Sequence, residues 1–182
     1  VTSLTTSSVS IGDITDAYGI QGRVSFTTSN MTMGNILATL STTQKAYGIF
    51  TDTNSITTIT TSDITIGDIT GNTNGTKSYG IYLGPSSTET NNTSSLTIET
   101  QTNITIGNIQ YGQGIRCGVL SGLSNSNITM GNISESGSYG LYADTASLTT
   151  STPNLTDSNI TLGDIIDTNS NTPPLGGGFI LN

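Results

Sequence analysis

The side chains able to do chemistry in this chain are few: 182 residues hold 12 acids, four cations, one cysteine and no histidine. Two carboxylate pairs stand three residues apart, Asp13 with Asp16 and Asp164 with Asp167. General acid and base work on a polysaccharide would need such a pair at a defined separation around the substrate. Asp13 and Asp164, however, share one position of a repeated motif with Asn35, Asn108 and Asn132. They read better as turn formers, so no catalytic residue is assigned and the chain is not read as an enzyme. Oxygen ligands for a hard cation are the second option. Asp13, Asp52, Asp68, Asp164 and Asp167, with Asn54, Asn72 and Asn169 near three of them, are weak candidates for calcium, the one cofactor the sequence suggests. None has the EF-hand spacing or the glycine-rich nonapeptide pattern. Cys117 stands alone, which excludes an internal disulfide; period-2 alternation places it with Ile115 and Val119 on one face as a buried thiol.

Composition narrows the class further. Only 9% of residues are charged and 32% apolar, with 22 Gly and four Pro. Ser, Thr and Asn supply about four residues in ten, and β-branched types are prominent, favouring short strands and tight turns over helices. The net charge of −8 leaves Arg23, Lys45, Lys77 and Arg116 scattered, unable to neutralise a row of phosphates, so nucleic acid is a poor partner. No apolar run approaches the roughly 18–20 residues needed to span a bilayer. The chain starts at Val1 rather than Met, which suggests a mature product or an excised segment.

Repetition is what must position these residues. A seven-residue motif (polar, apolar, Ser or Thr, apolar, Gly, Asn or Asp, Ile) occurs at 8–14, 30–36, 63–69, 103–109, 127–133 and 159–165. Its apolar pair points inward, Thr and Gly point outward, Gly-Asn/Asp marks a corner, and the last Ile returns to the core. The fourth positions, Ile11, Met33, Ile66, Ile106, Met130 and Leu162, should form one inward column. A Tyr-Gly-Ile-like motif follows each copy, at Tyr18, Tyr47, Tyr79, Gly114, Tyr139 and Gly178. A weaker Ser-apolar-Thr motif precedes most copies, at Ser3, Ser25, Ser55, Ser95 and Ser147, with Val119–Leu123 replacing it once.

Three strands per unit are expected. Motif glycines lie 22, 33, 40, 24 and 32 residues apart, so the shortest unit approximates one turn of a three-sided parallel β-helix and the others carry polar insertions. The predicted fold is all-β, a single domain over 1–182, a parallel β-solenoid of about six irregular turns and roughly 25–30 Å tall at the ~4.8 Å strand spacing. These repeats resemble those of secreted β-solenoid surface proteins, such as bacterial adhesins and autotransporter passengers. That resemblance implies an extracellular or cell-surface structural or adhesive role and assigns no ligand.

The remaining surface residues offer weaker leads. Asn74, Asn91 and Asn92 are the loop sequons best placed for glycosylation. The Thr column (Thr32, Thr65, Thr105, Thr129, Thr161) lacks the paired rows and constant turns of an ice-binding face. Phe50, Tyr82 and Tyr142 follow the inward Ile or Leu and would be the outward platform for a surface glycan. The chain opens on the first motif of a unit and closes on the last. Bare solenoid ends expose strand edges, and head-to-tail stacking of copies would cover them and propagate as a filament or surface layer. Leu4, Val9, Ile11 and Ile20 at one end, and Leu162, Ile165, Phe179 and Ile180 at the other, are the expected contact residues. Asp13 over Asp164 brings like charges together there, so low pH or calcium should strengthen assembly. An adhesin segment that binds glycans is the alternative.

Overall fold

The computed structural model describes residues 2–39, 45–51, 56–73, 76–84, 93–135, 137–143, 155–166 and 177–181. No helix occurs among them. The first turn is built from β1 (Thr2–Thr5), β2 (Ser8–Ile11), β3 (Ile14–Thr15) and β4 (Tyr18–Gln21). Each of these pairs in parallel with its counterpart one repeat later, and the pattern continues through six turns to give four six-stranded parallel sheets. The chain is thus a parallel β-helix. It has four strands per turn where three were expected, because the Gly-Asn/Asp corner splits the seven-residue motif into a four-residue strand and a separate two-residue one.

The sheet headed by β2 is the most regular. Asn30–Met33, Asp63–Ile66, Asn103–Ile106, Asn127–Met130 and Asn159–Leu162 stack in unbroken register above it. Alternation does what the pattern requires: Met33, Ile66, Ile106 and Met130 are buried, whereas Ile11 and Leu162, in the first and last turns, are half-buried against the same core. A fully buried Ile contributes about 1.5–3 kcal/mol, but only once the neighbouring turn covers it, which makes cohesion a property of adjacent turns.

Two corners hold this sheet in place. On its C-terminal side lies the Gly-Asn/Asp pair. On its N-terminal side Ser29, Ser62, Thr102 and Ser126 are buried. Their hydroxyls donate back to Thr27, Thr60, Glu99 and Ser124 carbonyls at 2.7–3.0 Å, while the Ser29 hydroxyl accepts from the Ser7 N–H and that of Ser62 from the Ser29 N–H. The residues just before them, Thr28, Thr61, Gln101 and Asn125, have φ between 46° and 57° and so turn the chain sharply.

The sheet headed by β1 departs from the sequence reading. One of its inward columns runs Leu4, Phe26, Ile59, Ile98 and Leu123, so the Ser-apolar-Thr motifs at Ser55 and Ser95 are out of step with those at Ser3 and Ser25; Leu96 is inward too, but in the neighbouring column with Leu120. Leu96 pairs instead with Thr57, a buried Thr in an apolar column whose Oγ1 has no hydrogen-bond partner among the described residues. Val119 opens the next strand, opposite Ser95, so it does not share a face with Ile115 and Cys117; Cys117 itself is buried and in no disulfide. Leu155–Thr156 pairs onto this sheet in the sixth turn, whereas Ser147–Thr150 lies outside the described residues.

Candidate functional site

The Gly-Asn/Asp corner is the most repetitive feature of the molecule. The Oδ1 of each corner residue accepts a hydrogen bond from the backbone N–H of the corner residue one turn later: Asp13 from Asn35 at 2.7 Å, Asn35 from Asp68 at 2.9 Å, Asp68 from Asn108 at 2.7 Å, Asn108 from Asn132 at 2.9 Å, and Asn132 from Asp164 at 2.9 Å. The ladder has a direction, since Oδ1 always faces the following turn. It also explains the invariant placing of Gly within the motif. A Cβ on Gly67 would lie 2.5 Å from Asn35 Oδ1, and one on Gly131 would lie 2.7 Å from Asn108 Oδ1, closer than the 3.0 Å that real Cβ atoms keep.

A second ladder runs beside it, Asn103 Nδ2 donating to Asp63 Oδ1 at 2.8 Å, Asn127 Nδ2 to Asn103 Oδ1 at 3.0 Å and Asn159 Nδ2 to Asn127 Oδ1 at 3.1 Å. The exposed Thr column stands next to it in register. Unequal unit lengths therefore leave this face regular, against the expectation that they would disrupt it.

Of the two acid pairs the described residues hold Asp13 with Asp16 and, of the second, Asp164 alone. Asp13 serves the corner ladder, and Asp16 accepts from the N–H of Thr39 at 2.8 Å and from its hydroxyl, so the two carboxylates are separately committed to the next turn. Among the described residues no three His, Cys, Asp or Glu come together as a metal site. Of the calcium candidates, Asp13, Asp68 and Asp164 are spread along the corner ladder in different turns, while Asp52 and Asp167 lie outside the described residues. So do the sequons Asn74, Asn91 and Asn92.

The aromatics are placed differently from the sequence expectation. Phe50 and Tyr82 are buried and Tyr142 half-buried, so they offer no open glycan platform. With Tyr47 and Tyr79, Phe50 and Tyr82 form a second apolar layer separate from the main core. Tyr18, Tyr47 and Tyr79 stack with ring centroids 5.1 Å apart. Burial first, then the neighbouring phenols, pushes the Tyr47 hydroxyl far above the ordinary tyrosine range. Arg116, buried among these rings, lies 4.8 Å from the Tyr142 centroid and 5.8 Å from that of Tyr82. Lys45 and Lys77 approach Tyr79 and Tyr139 at 5.7 Å. Three of the four scattered cations thus have one role, capping aromatic faces. Sequence reading missed it because only the register shows that Arg116 continues the Phe50 and Tyr82 column.

The assembly candidates fall at the two ends. Leu4, Val9, Ile11 and Ile20 are half-buried on the first turn. Leu4, Val9 and Ile20, with Val24, line an apolar groove of about 210 Å³ there. On the last turn Leu162 is half-buried, and Ile165, expected to re-enter the core, is 55% exposed. Ile14, its equivalent in the first turn, is 5% exposed although it too has only one neighbouring turn, so this column is covered from its C-terminal side. Phe179 aligns with the inward Ile column and Ile180 with the Tyr142 column by backbone register; their side chains lie outside the described residues. No family model, curated protein or solved structure matches this chain.

Proposed function

We propose that this chain is a structural, non-catalytic subunit that polymerises end to end into an extracellular or cell-surface filament or layer. The observation that carries the reading is the exposed Ile165 on the last described turn, whose column (Ile14, Ile36, Ile69, Ile109, Ile133) is buried in every earlier turn, together with an apolar groove on the first. Every interior turn buries the same columns against its neighbours, so a second copy continuing the register would bury these two faces in the same way. A location outside the cell is supported by the resemblance to secreted surface solenoids. The glycan-binding alternative loses its main support with the burial of Phe50 and Tyr82. Electron microscopy of the purified chain tests the proposal: filaments with a subunit rise of roughly 29 Å are expected from six turns at ~4.8 Å. Isolated rods at all concentrations would overturn it.

A further inference from the structure

We propose that the outer face of the sheet headed by β2 binds ice, by holding its first layer of water in a repeat that ice can continue. In a four-residue strand of this sheet the first and third side chains point away from the core. That sets two rows side by side, Asn30, Asp63, Asn103, Asn127 and Asn159 in one, and Thr32, Thr65, Thr105, Thr129 and Thr161 in the other, each in register from turn to turn. All ten are exposed, while the second and fourth residues of the four interior strands are buried. The rows are therefore paired, contrary to the expectation from the sequence, and the differences in unit length fall outside the strands that carry them.

Among the described residues no other outer face repeats in this way. Every residue of Tyr47–Thr51, Ser78–Leu83 and Gly112–Cys117 is buried. The sheet headed by β1 shifts register between Leu96 and Thr97, and its outward column mixes Thr5, Thr27, Thr60, Glu99 and Ser124. Both rows are complete in each of the four interior turns, so they belong to the repeat itself and not to its first or last copy.

The hydration of this face follows from its geometry. An Asn amide carries two N–H donors and two lone pairs. The ladder takes one donor each from Asn103, Asn127 and Asn159 and one lone pair each from Asn103 and Asn127, which holds these amides in place and leaves their remaining groups to water. The hydroxyls of the Thr row have no hydrogen-bond partner among the described residues, and β-branching restricts their χ1. A water bound on one turn is thus repeated on the next at ~4.8 Å along the rod, and the two rows stand ~6.6 Å apart, the rise of two residues. Both distances lie near the repeats of the prism face of hexagonal ice. Groups fixed before contact lose little freedom on binding, the general advantage of a rigid array over mobile side chains. Charge agrees with this occupant. Of the ten row residues only Asp63 is charged, and Arg23, Lys45, Lys77 and Arg116 all lie outside these strands. Such a face suits an uncharged lattice and gives a charged partner little to pair with.

Thermal hysteresis and the shape of ice crystals grown with the purified chain test the proposal. The wild type should hold a seed crystal without growth over a measurable interval below its melting point and give it flat facets. Thr105→Lys puts a long mobile cation in the middle of the hydroxyl row on an exposed side chain, so the circular dichroism and unfolding temperature should stay those of the wild type while hysteresis is lost. Thr27→Lys, an equally exposed change on the sheet headed by β1, should keep full hysteresis. Asp63→Asn removes the one charge from the rows and should widen the interval. A wild type that leaves ice growth as an inert protein of equal concentration does would overturn the proposal. So would hysteresis undiminished in Thr105→Lys, lost equally in Thr27→Lys, or narrowed in Asp63→Asn. Filament formation is read separately by electron microscopy, so this proposal and the assembly reading stand or fall independently.

Discussion

Two glycines in the same place of the same motif should respond to alanine with opposite signs. At Gly67 an added Cβ meets Asn35 Oδ1 at 2.5 Å, the Gly34 carbonyl carbon at 2.9 Å and the Asn35 nitrogen at 3.0 Å. Two of these are backbone, so relief requires the third turn to move off the second. That movement loosens the Asp68 N–H to Asn35 Oδ1 bond at 2.9 Å, the Ile36 N–H to Asp68 bond at 2.8 Å and the Gly67 N–H to Met33 bond at 3.1 Å. Overpacking of this kind costs about 1–3 kcal/mol, and weakened bonds add about 0.5–1 kcal/mol each, against a gain of about 0.4–1 kcal/mol from a stiffer unfolded chain. The net expectation is a loss of about 2–4 kcal/mol, or roughly 5–15 °C in Tm at this chain length. At Gly12 no atom lies within 4 Å and φ is outside the left-handed region, so only the unfolded-state gain remains and stability is unchanged or rises by up to about 1 kcal/mol. Urea and thermal unfolding followed by circular dichroism, on dilute samples where ends do not meet, measure both. Equal losses at the two positions would show that the motif glycine is needed for conformation and not for the close passage of Oδ1, and would refute the steric argument. Partial recovery of Gly67→Ala by a second change, Asn35→Ala, would identify the oxygen as the main obstacle.

Thr57→Val should stabilise the fold by about 1 kcal/mol, because it replaces a buried hydroxyl without a described partner by a methyl group facing Leu96; an unchanged or lower urea midpoint would count against this. The raised proton affinity of Tyr47 means that the folded state holds a phenol proton the unfolded chain releases near pH 10, so its contribution is full below that pH and lost as pH rises above it; tyrosinate absorbance from Tyr47 should appear only together with loss of the sheet signal, and complete tyrosine titration of an intact fold would refute this.

Column identity was legible in the sequence wherever a repeat kept its spacing. The seven-residue motif placed Ile66 and Ile106 inward and Thr65 and Thr105 outward because period-2 alternation leaves no other choice once one face is buried. The corner was legible too, but not its consequence: splitting the motif turns three expected strands into four, and nothing short of hydrogen-bond geometry shows that Ile69–Thr70 pairs as a strand of its own. Sequence reading slipped in the β1 sheet, where two apolar residues per unit compete. Ile56 and Ile59 both follow polar residues, and the register is set by Thr61 turning at φ 49° into the serine corner, which counts backward from Ser62 and favours Ile59. A Ser or Thr stands directly before every copy of the motif, Ser7, Ser29, Ser62, Thr102, Ser126 and Ser158, and would have fixed that register had it been treated as part of the repeat.

In a stack of equivalent turns a residue's structural role belongs to its column, so a residue that departs from its column, or keeps to it without need, points to something the repeat alone does not require. Arg116 departs from an aromatic column and is held by the rings on either side, an exception that the fold absorbs. Thr57 departs from an apolar column and gains no described bond in return, an exception that leaves the core weaker than it could be. Gly12 is the reverse case. It keeps the motif although the oxygen that crowds the other five α-carbons comes in each case from the preceding turn, and Gly12 stands in the first described one. Sequence repetition alone cannot separate these cases, because all six glycines look alike in the motif; only the surroundings of each α-carbon, five crowded and one open, tell them apart.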